Sequence, residues 1–252
     1  AVIDRATGEV KQAQIFVAVL GCSSYTYAEA SWTQSLSDWL GAHVRALESF
    51  SGSPAAFVPD NLKSGVHRWH RYDPDLNQAY AEFAEYYSVA ILPAPRKKPR
   101  DKAKVESGVG FVERFILARL RNHQFFSLGD LNSAIKELLV ELNNRPFQKL
   151  DGSRRSRFLE LDQQALRPLP PRAYEYAQWK LAKVHPDYHV EIAHAYYSVH
   201  YKHIGERVEV RVTARMIEIF FKRQLIASHV RLFKRGTRST LDAHRPANHR
   251  AV

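Results

Sequence analysis

The sequence predicts an α/β domain, a mixed sheet flanked by helices, followed by a small all-β barrel. Three observations predict it. Short apolar runs alternate with helical stripes over residues 1–150. From about Tyr188 the pattern changes to period-two alternation, with turn signals at Gly205 and Lys222-Arg223-Gln224. An Arg- and Pro-rich stretch, 144–173, separates the two patterns.

Residues 1–20 read as a hairpin, because Asp4-Arg5-Ala6-Thr7-Gly8-Glu9 is turn chemistry. Ala13 to Leu20 is almost wholly apolar, which suits a strand buried on both faces. Ser24 to Glu29 alternates and is expected as the next antiparallel strand. Leu36, Leu40, Val44 and Leu47 form a helical stripe within Thr33 to Phe50, with Gly52 just past its end. Ala55-Ala56-Phe57-Val58 is a short strand stopped by Pro59. A loop is expected over 62–74, a second helix over 75–87 and a strand over Val89-Ala90-Ile91-Leu92. Helices follow over Lys102 to about Leu120 and over about Leu128 to Asn143. In the first of these, Val105, Val109, Val112 and Ile116 make the core stripe, while Glu106, Gly110 and Glu113 share another face. Near the carboxyl end, Val208 to Val212 and Met216 to Phe220 alternate cleanly. The tail after Arg235 is polar and basic and reads as disordered.

The net charge is +11, and it is unevenly spread. Residues 166–252 carry 16 Lys/Arg against 7 Asp/Glu, while 1–165 are nearly neutral. Within the neutral part, Arg96, Lys97, Lys98, Arg100, Lys102 and Lys104 form one basic run broken only by Asp101 among charged residues. Such a footprint attracts polyanions, nucleic acid foremost, although a solvated basic face has the same composition. The apolar runs are far shorter than the ~18 residues of a membrane span. The single cysteine, Cys22, excludes a disulfide scaffold and a Cys-based zinc site and fits a reducing cytoplasm. No Gly-x-x-x-x-Gly-Lys loop occurs, and His67 and His70 lack a third ligand nearby. The chain starts at Ala1 and its one methionine is Met216, so a longer parent protein is expected.

Asp60 follows an apolar strand, where open α/β sheets tend to carry ligand groups; Asp60-Asn61 is equally ordinary turn chemistry. Glu106 lies in the first turn of a helix, where the helix dipole alone favours a carboxylate. It also sits inside a basic segment. A carboxylate there repels a polyanion unless a divalent cation lies between them, which is the arrangement of two-metal phosphoryl-transfer sites.

Phe57-Val58-Pro59-Asp60-Asn61 resembles the strand-plus-Asp-Asn element of the DDE integrase-core superfamily. Lys102-Ala103-Lys104-Val105-Glu106 is similar to its last element, where a Lys and a Glu share a helix start. Asn143-Asn144-Arg145-Pro146-Phe147, followed by Gly152 and Phe158, resembles the Asn-x-Arg-Pro stretch of many insertion-sequence transposases. With the Asp4 to Glu9 turn and the apolar strand behind it, the pattern is most similar to the large transposase of IstA/IstB-type bacterial insertion sequences. The resemblance spans nearly the whole chain.

It implies a ribonuclease-H-like catalytic core over 1–150 with its first strand truncated, and a basic, Pro-rich linker over 151–184. A small SH3-like DNA-binding barrel over 185–235 and a disordered basic tail over 236–252 follow. It implies Mg²⁺-dependent (or Mn²⁺-dependent) cleavage of transposon ends and strand transfer into target DNA. Asp60 and Glu106 would be catalytic and would hold the metal, two ions per complete site. They stand 46 residues apart, wider than the interval of about 35 that names the superfamily. Asp4 is expected to be a turn residue, with the first catalytic Asp upstream of Ala1, so that these residues alone would be inactive. Lys63 and the 96–104 cations would contact DNA phosphates. The implied partners are double-stranded DNA, further copies of the protein assembled on it and an ATPase helper protein, in the bacterial cytoplasm at the nucleoid. The alternative is a non-catalytic DNA-binding module derived from an integrase core.

Overall fold

The computed structural model describes residues 1–59, 66–68, 75–76, 78–92 and 107–246. They form two compact units, Ala1–Tyr174 and Glu175–Val252.

The first unit is mixed α/β, as the sequence predicts. Strands β1 (Val2–Ile3) and β2 (Val10–Lys11) flank the Asp4 turn, and β3 (Gln14–Val19) pairs antiparallel with β4 (Thr26–Ser31). Helix α1 (Leu36–Phe50) starts later than Thr33 because the Ser35 side chain accepts the Asp38 N–H and caps it. Strand β5 (Ala56–Phe57) pairs parallel with β8 (Ala90–Ile91), and α2 (Gln78–Tyr86) lies between them in sequence. The expected 62–74 loop contains β6 (Val66–Arg68), which pairs with β7 (Asp75–Leu76). Helix α3 spans 107–120, with a π-helical stretch at Val112–Leu117. Helix α4 (Leu128–Asn144) opens on the Ser127 cap.

Helix α4 closes one edge of the β3–β4 pair. Asn132 and Asn143 stand three helical turns apart and so share a face. Each offers its side-chain amide to the backbone of β4. Asn143 Oδ1 accepts the Thr26 N–H at 3.0 Å and its Nδ2 donates to the Thr26 carbonyl at 2.8 Å. Asn132 makes the same pair of bonds with Ala30. Two amides thus stand in for a neighbouring strand and satisfy backbone groups that a bare edge would leave to water.

The other edge is different. Among the described residues β3 pairs only with β4, and β5 only with β8. The run expected to be buried on both faces is therefore half-buried at all six positions. A second neighbouring strand, not composition, is what would bury it.

The expected 144–173 linker is helical over 154–165, named α5 here, in three short pieces. Ser153 and Ser156 form a reciprocal capping box at its start. Phe158 is buried with Leu20, Ala46 and Phe50, and Asp162 accepts the Ser23 N–H at 2.9 Å. These anchors hold an Arg-rich segment that composition reads as a connector.

The second unit wraps two sheets around one apolar core. Strands β9 (Gln178–Lys183), β12 (Arg207–Val212), β13 (Met216–Phe221) and β14 (Gln224–Val230) form an antiparallel sheet in the order β14-β13-β12-β9. Strands β10 (His189–Ile192), β11 (Ala195–Ser198) and β15 (Arg238–Ser239) form the other. Val190, Val208, Val210, Ile217 and Ile219 fill the space between them. The β structure begins at Gln178, ahead of the expected 185.

The described part of the tail expected to be disordered, residues 236–246, is ordered. β15 pairs parallel with β11. His244 Nδ1 and Ser198 Oγ are 2.8 Å apart, His229 Nδ1 and Ser239 Oγ 2.8 Å, and His189 Nε2 and Thr240 Oγ1 2.9 Å. Burial holds all three imidazoles below the usual histidine range. Neutral imidazoles keep a ring nitrogen free to accept, so Ser239 and Thr240 of the polar tail pair with buried histidines of the strands, and His244 of the tail pairs with Ser198 of β11.

Candidate functional site

The open edges of β3 and β5 face a common cavity of about 730 Å³. Every residue from Gln14 to Gly21 lines it, which is how a strand presents its backbone edge rather than one face. Ala56 to Pro59 line it from the β5 side, and Val109, Val112, Glu113 and Leu117 from α3. Helix α1 contributes Trp39, His43 and Leu47, among others.

Helix α3 reaches this cavity because of a glycine. A Cβ at Gly108 would overlap the Val19 side chain. Gly108→Ala is expected to push α3 off β3 and cost about 1–3 kcal/mol, as overpacked sites do, read as a lowered thermal midpoint. An unchanged midpoint would mean the helix start is loosely seated.

His43 sits on the cavity wall with only 8% of its surface exposed. Its ring contacts Trp39, Phe16, Phe57 and Phe83 at centroid distances of 4.2, 4.8, 5.2 and 5.9 Å. Nδ1 lies 2.9 Å from the Trp39 carbonyl, so Nδ1 carries the proton. Burial among these rings pushes its pKa down to about 4, so the imidazole is neutral at pH 7.

Two described carboxylates line the cavity, Asp38 and Glu113. Asp38 is occupied, because it accepts from both the backbone and the hydroxyl of Thr33. Among the described residues no group of three His, Cys, Asp or Glu could hold a metal ion. A metal set therefore cannot be assembled from them.

The predicted site residues Asp60, Lys63, Arg96, Lys97, Lys98, Arg100, Lys102, Lys104 and Glu106 lie outside the described residues. Of these, Asp60 and Glu106 adjoin described residues, Pro59 and Ser107. Pro59, one residue before Asp60, and Val109, three residues after Glu106, line the same cavity. Asp4, expected as a turn residue, is one. Its Oδ1 accepts the N–H groups of Ala6 and Thr7 at 2.9 and 3.2 Å, and these bonds hold its carboxyl below the usual range. Sequence reasoning missed Asp38, His43 and Glu113 as cavity residues. For Glu113 the signal existed, since it shares a helical face with Glu106 and Gly110.

Residues 169–241 match the family model described as Mu transposase, C-terminal domain. A protein of Sinorhizobium fredii named "Putative transposase y4bL/y4kJ/y4tB" is 52% identical over 98% of this chain and 48% of its own length. One from Pseudomonas fluorescens, "Putative transposase for insertion sequence IS1162", is 48% identical over 99% of this chain and 45% of its own length. The transposase for insertion sequence element IS21 of Pseudomonas aeruginosa is 24% identical over 84% of this chain and 54% of its own length. Among solved structures, a simian T-cell lymphotropic virus intasome aligns at TM-score 0.49 and 11% identity, covering 86% of this chain and 69% of that one. The chain is similar over nearly its whole length to proteins named as putative transposases, and it spans about half the length of the curated relatives it matches.

Proposed function

We propose that this chain is part of a DNA transposase, a polynucleotidyl transferase that cuts transposon ends and joins them to target DNA. The observation that carries the reading is its 52% identity, over 98% of the chain, to a protein named as a transposase. The cavity adds support. Pro59, one residue before Asp60, and Val109, three residues after Glu106, line one cleft, which is compatible with the pairing of the two carboxylates that the resemblance implies. Asp60 and Glu106 would hold Mg²⁺, whose preference is for hard carboxylate oxygens, and the ion would polarise a phosphodiester oxygen and lower the pKa of an attacking water. Lys63 and the Arg96 to Lys104 cations would grip phosphates and so position the DNA without reading its sequence. The same reading carries assembly of several copies on double-stranded DNA and an ATPase helper protein.

Calorimetric titration of Mn²⁺ tests the carboxylate pair. Binding is expected to weaken at least tenfold in both Asp60→Asn and Glu106→Gln. It is expected to stay unchanged in Asp4→Asn, whose carboxylate is engaged by the Ala6 and Thr7 amides. Equal binding by the parent chain and both active-pair variants would remove these residues as ligands.

A further inference from the structure

The Asn-x-Arg-Pro stretch is only partly explained by the fold. Asn143 is committed to the edge of β4. Among the described residues Arg145 has no carboxylate partner. After it the chain makes a tight turn: Pro146 bridges antiparallel to Ser153, and the Phe147 N–H donates to the Gly152 carbonyl at 3.0 Å. Antiparallel pairing of 146 with 153 sets 145 across from 154. Gly152 makes the turn possible, with φ of +83°. Arg145 and Arg154 thus face each other, two like charges brought together by backbone.

Arg154 is 5% exposed. Its guanidinium lies 4.3 Å from the Phe111 ring centroid and 5.3 Å from that of Phe147. Arg145 stands 5.4 Å from the Phe115 centroid. Rings satisfy the flat faces of a guanidinium and leave its rim of N–H donors to be used by something else. Of that rim, one N–H of Arg154 reaches the Leu142 carbonyl, at 3.4 Å. The carboxyl end of α4 attracts a cation but supplies only partial charge. Among the described residues neither arginine has a carboxylate within 4.0 Å; the neighbouring Arg119 has Glu141 at 2.6 Å. A cation nine-tenths buried without a counter-ion is costly, and a second cation beside it raises the cost. An anion with several acceptor oxygens removes both penalties at once.

We infer that Arg145 and Arg154 form a preorganised clamp for one phosphate of a DNA backbone. The Phe111, Phe115 and Phe147 rings hold the guanidinium planes, and the 146–153 turn sets their separation. The clamp rests on the proposed DNA reading and adds to it a contact made by neither the 96–104 cations nor the second unit. A phosphate diester fits because bidentate guanidinium donors match its oxygens and because the contact needs no base.

The test is the salt dependence of binding to a labelled duplex of random sequence, between 50 and 300 mM salt. The parent chain is expected to lose affinity steeply. In the double variant Arg145→Gln/Arg154→Gln the log–log slope is expected to fall by about 0.9, the value of one lost phosphate contact. Affinity near 0.15 M salt would fall roughly fivefold. The single variant Arg145→Gln guards against misfolding, since Arg145 is exposed; it is expected to move the slope in the same direction with its thermal midpoint kept. A parallel arm follows the thermal midpoint as inorganic phosphate replaces chloride at constant ionic strength. Phosphate is expected to raise the midpoint of the parent chain and not of Arg145→Gln. A steep parental slope left unchanged in both variants overturns the clamp while leaving the DNA reading intact. A parent chain whose DNA binding has no salt dependence overturns the DNA assignment itself, whatever inorganic phosphate does.

Discussion

Phe83→Ala is expected to cost about 3–5 kcal/mol, roughly a fifth or more of the stability of an ordinary domain. Phe83 has no exposed surface. Its ring meets Phe57 of β5 at 6.1 Å, Tyr80 at 6.3 Å, Tyr87 at 5.0 Å and Tyr174 at 5.3 Å, and it also contacts His43 of α1. Truncation therefore removes the transfer free energy of a benzyl group and leaves a void walled by other rings. Large rings relax poorly into such a void, which puts the expected loss at the upper part of the range. Urea unfolding should show a lower midpoint at unchanged slope. Phe83→Leu, which keeps most of the volume, should recover a large part of the loss. A Phe83→Ala loss below about 1 kcal/mol would mean that the aromatic cluster closes over the gap, and that these rings are not the packed node they form in the structure.

Acidification should weaken the first unit through His43. The folded pKa is about 4, below the 6.5 of an ordinary histidine. Below pH 6.5 the unfolded chain therefore binds a proton that the folded chain refuses. Stability falls as pH drops from 6.5 toward 4 and levels off beneath that. The total is roughly 3 kcal/mol, at most about 1.4 kcal/mol per pH unit. The readout is amide hydrogen exchange at core positions of this unit, such as Leu47 and Phe83, between pH 7 and pH 4. His43→Gln should flatten that part of the pH dependence whatever it does to absolute stability. If the variant keeps the parental slope, the titrating group lies elsewhere. Buried His189, His229 and His244 add acid sensitivity of the same sign, but to the second unit.

What the sequence made legible was what burial writes periodically. Helices α1 and α4 carry clean apolar stripes and serine caps, and both were expected within a few residues of where they lie. The change to period two announced the second unit. Three features escaped because side chains did jobs their composition hides. Asn132 and Asn143 act as a strand edge, which no periodicity distinguishes from ordinary polar positions on a helix. Segment 154–165 is helical by virtue of a serine capping box and two buried anchors, Phe158 and Asp162, amid arginines. The tail is ordered by buried neutral histidines, which in a sequence look like solvated ones. For the candidate site, the sequence paired Asp60 with Glu106, and the described structure bears on their neighbours alone. The cleft between two strand edges could not be read, since it depends on which strands pair.

The π-helical stretch Val112–Leu117 has a consequence for that cleft. A π turn holds more residues than the 3.6 of an α turn, because its bonds run from i to i+5. It works as a phase shifter along the helix. Side chains before it and after it no longer keep the rotation that simple α spacing would assign, so the end near Glu106 and the end that packs Leu120 into the core are set in angle by different turns. Val109 and Glu113 line the cleft, Ile116 and Leu120 pack in the core, and Val112 and Leu117 border both. The extra residue sets the angle between the side chains that border the cleft and those that fill the core.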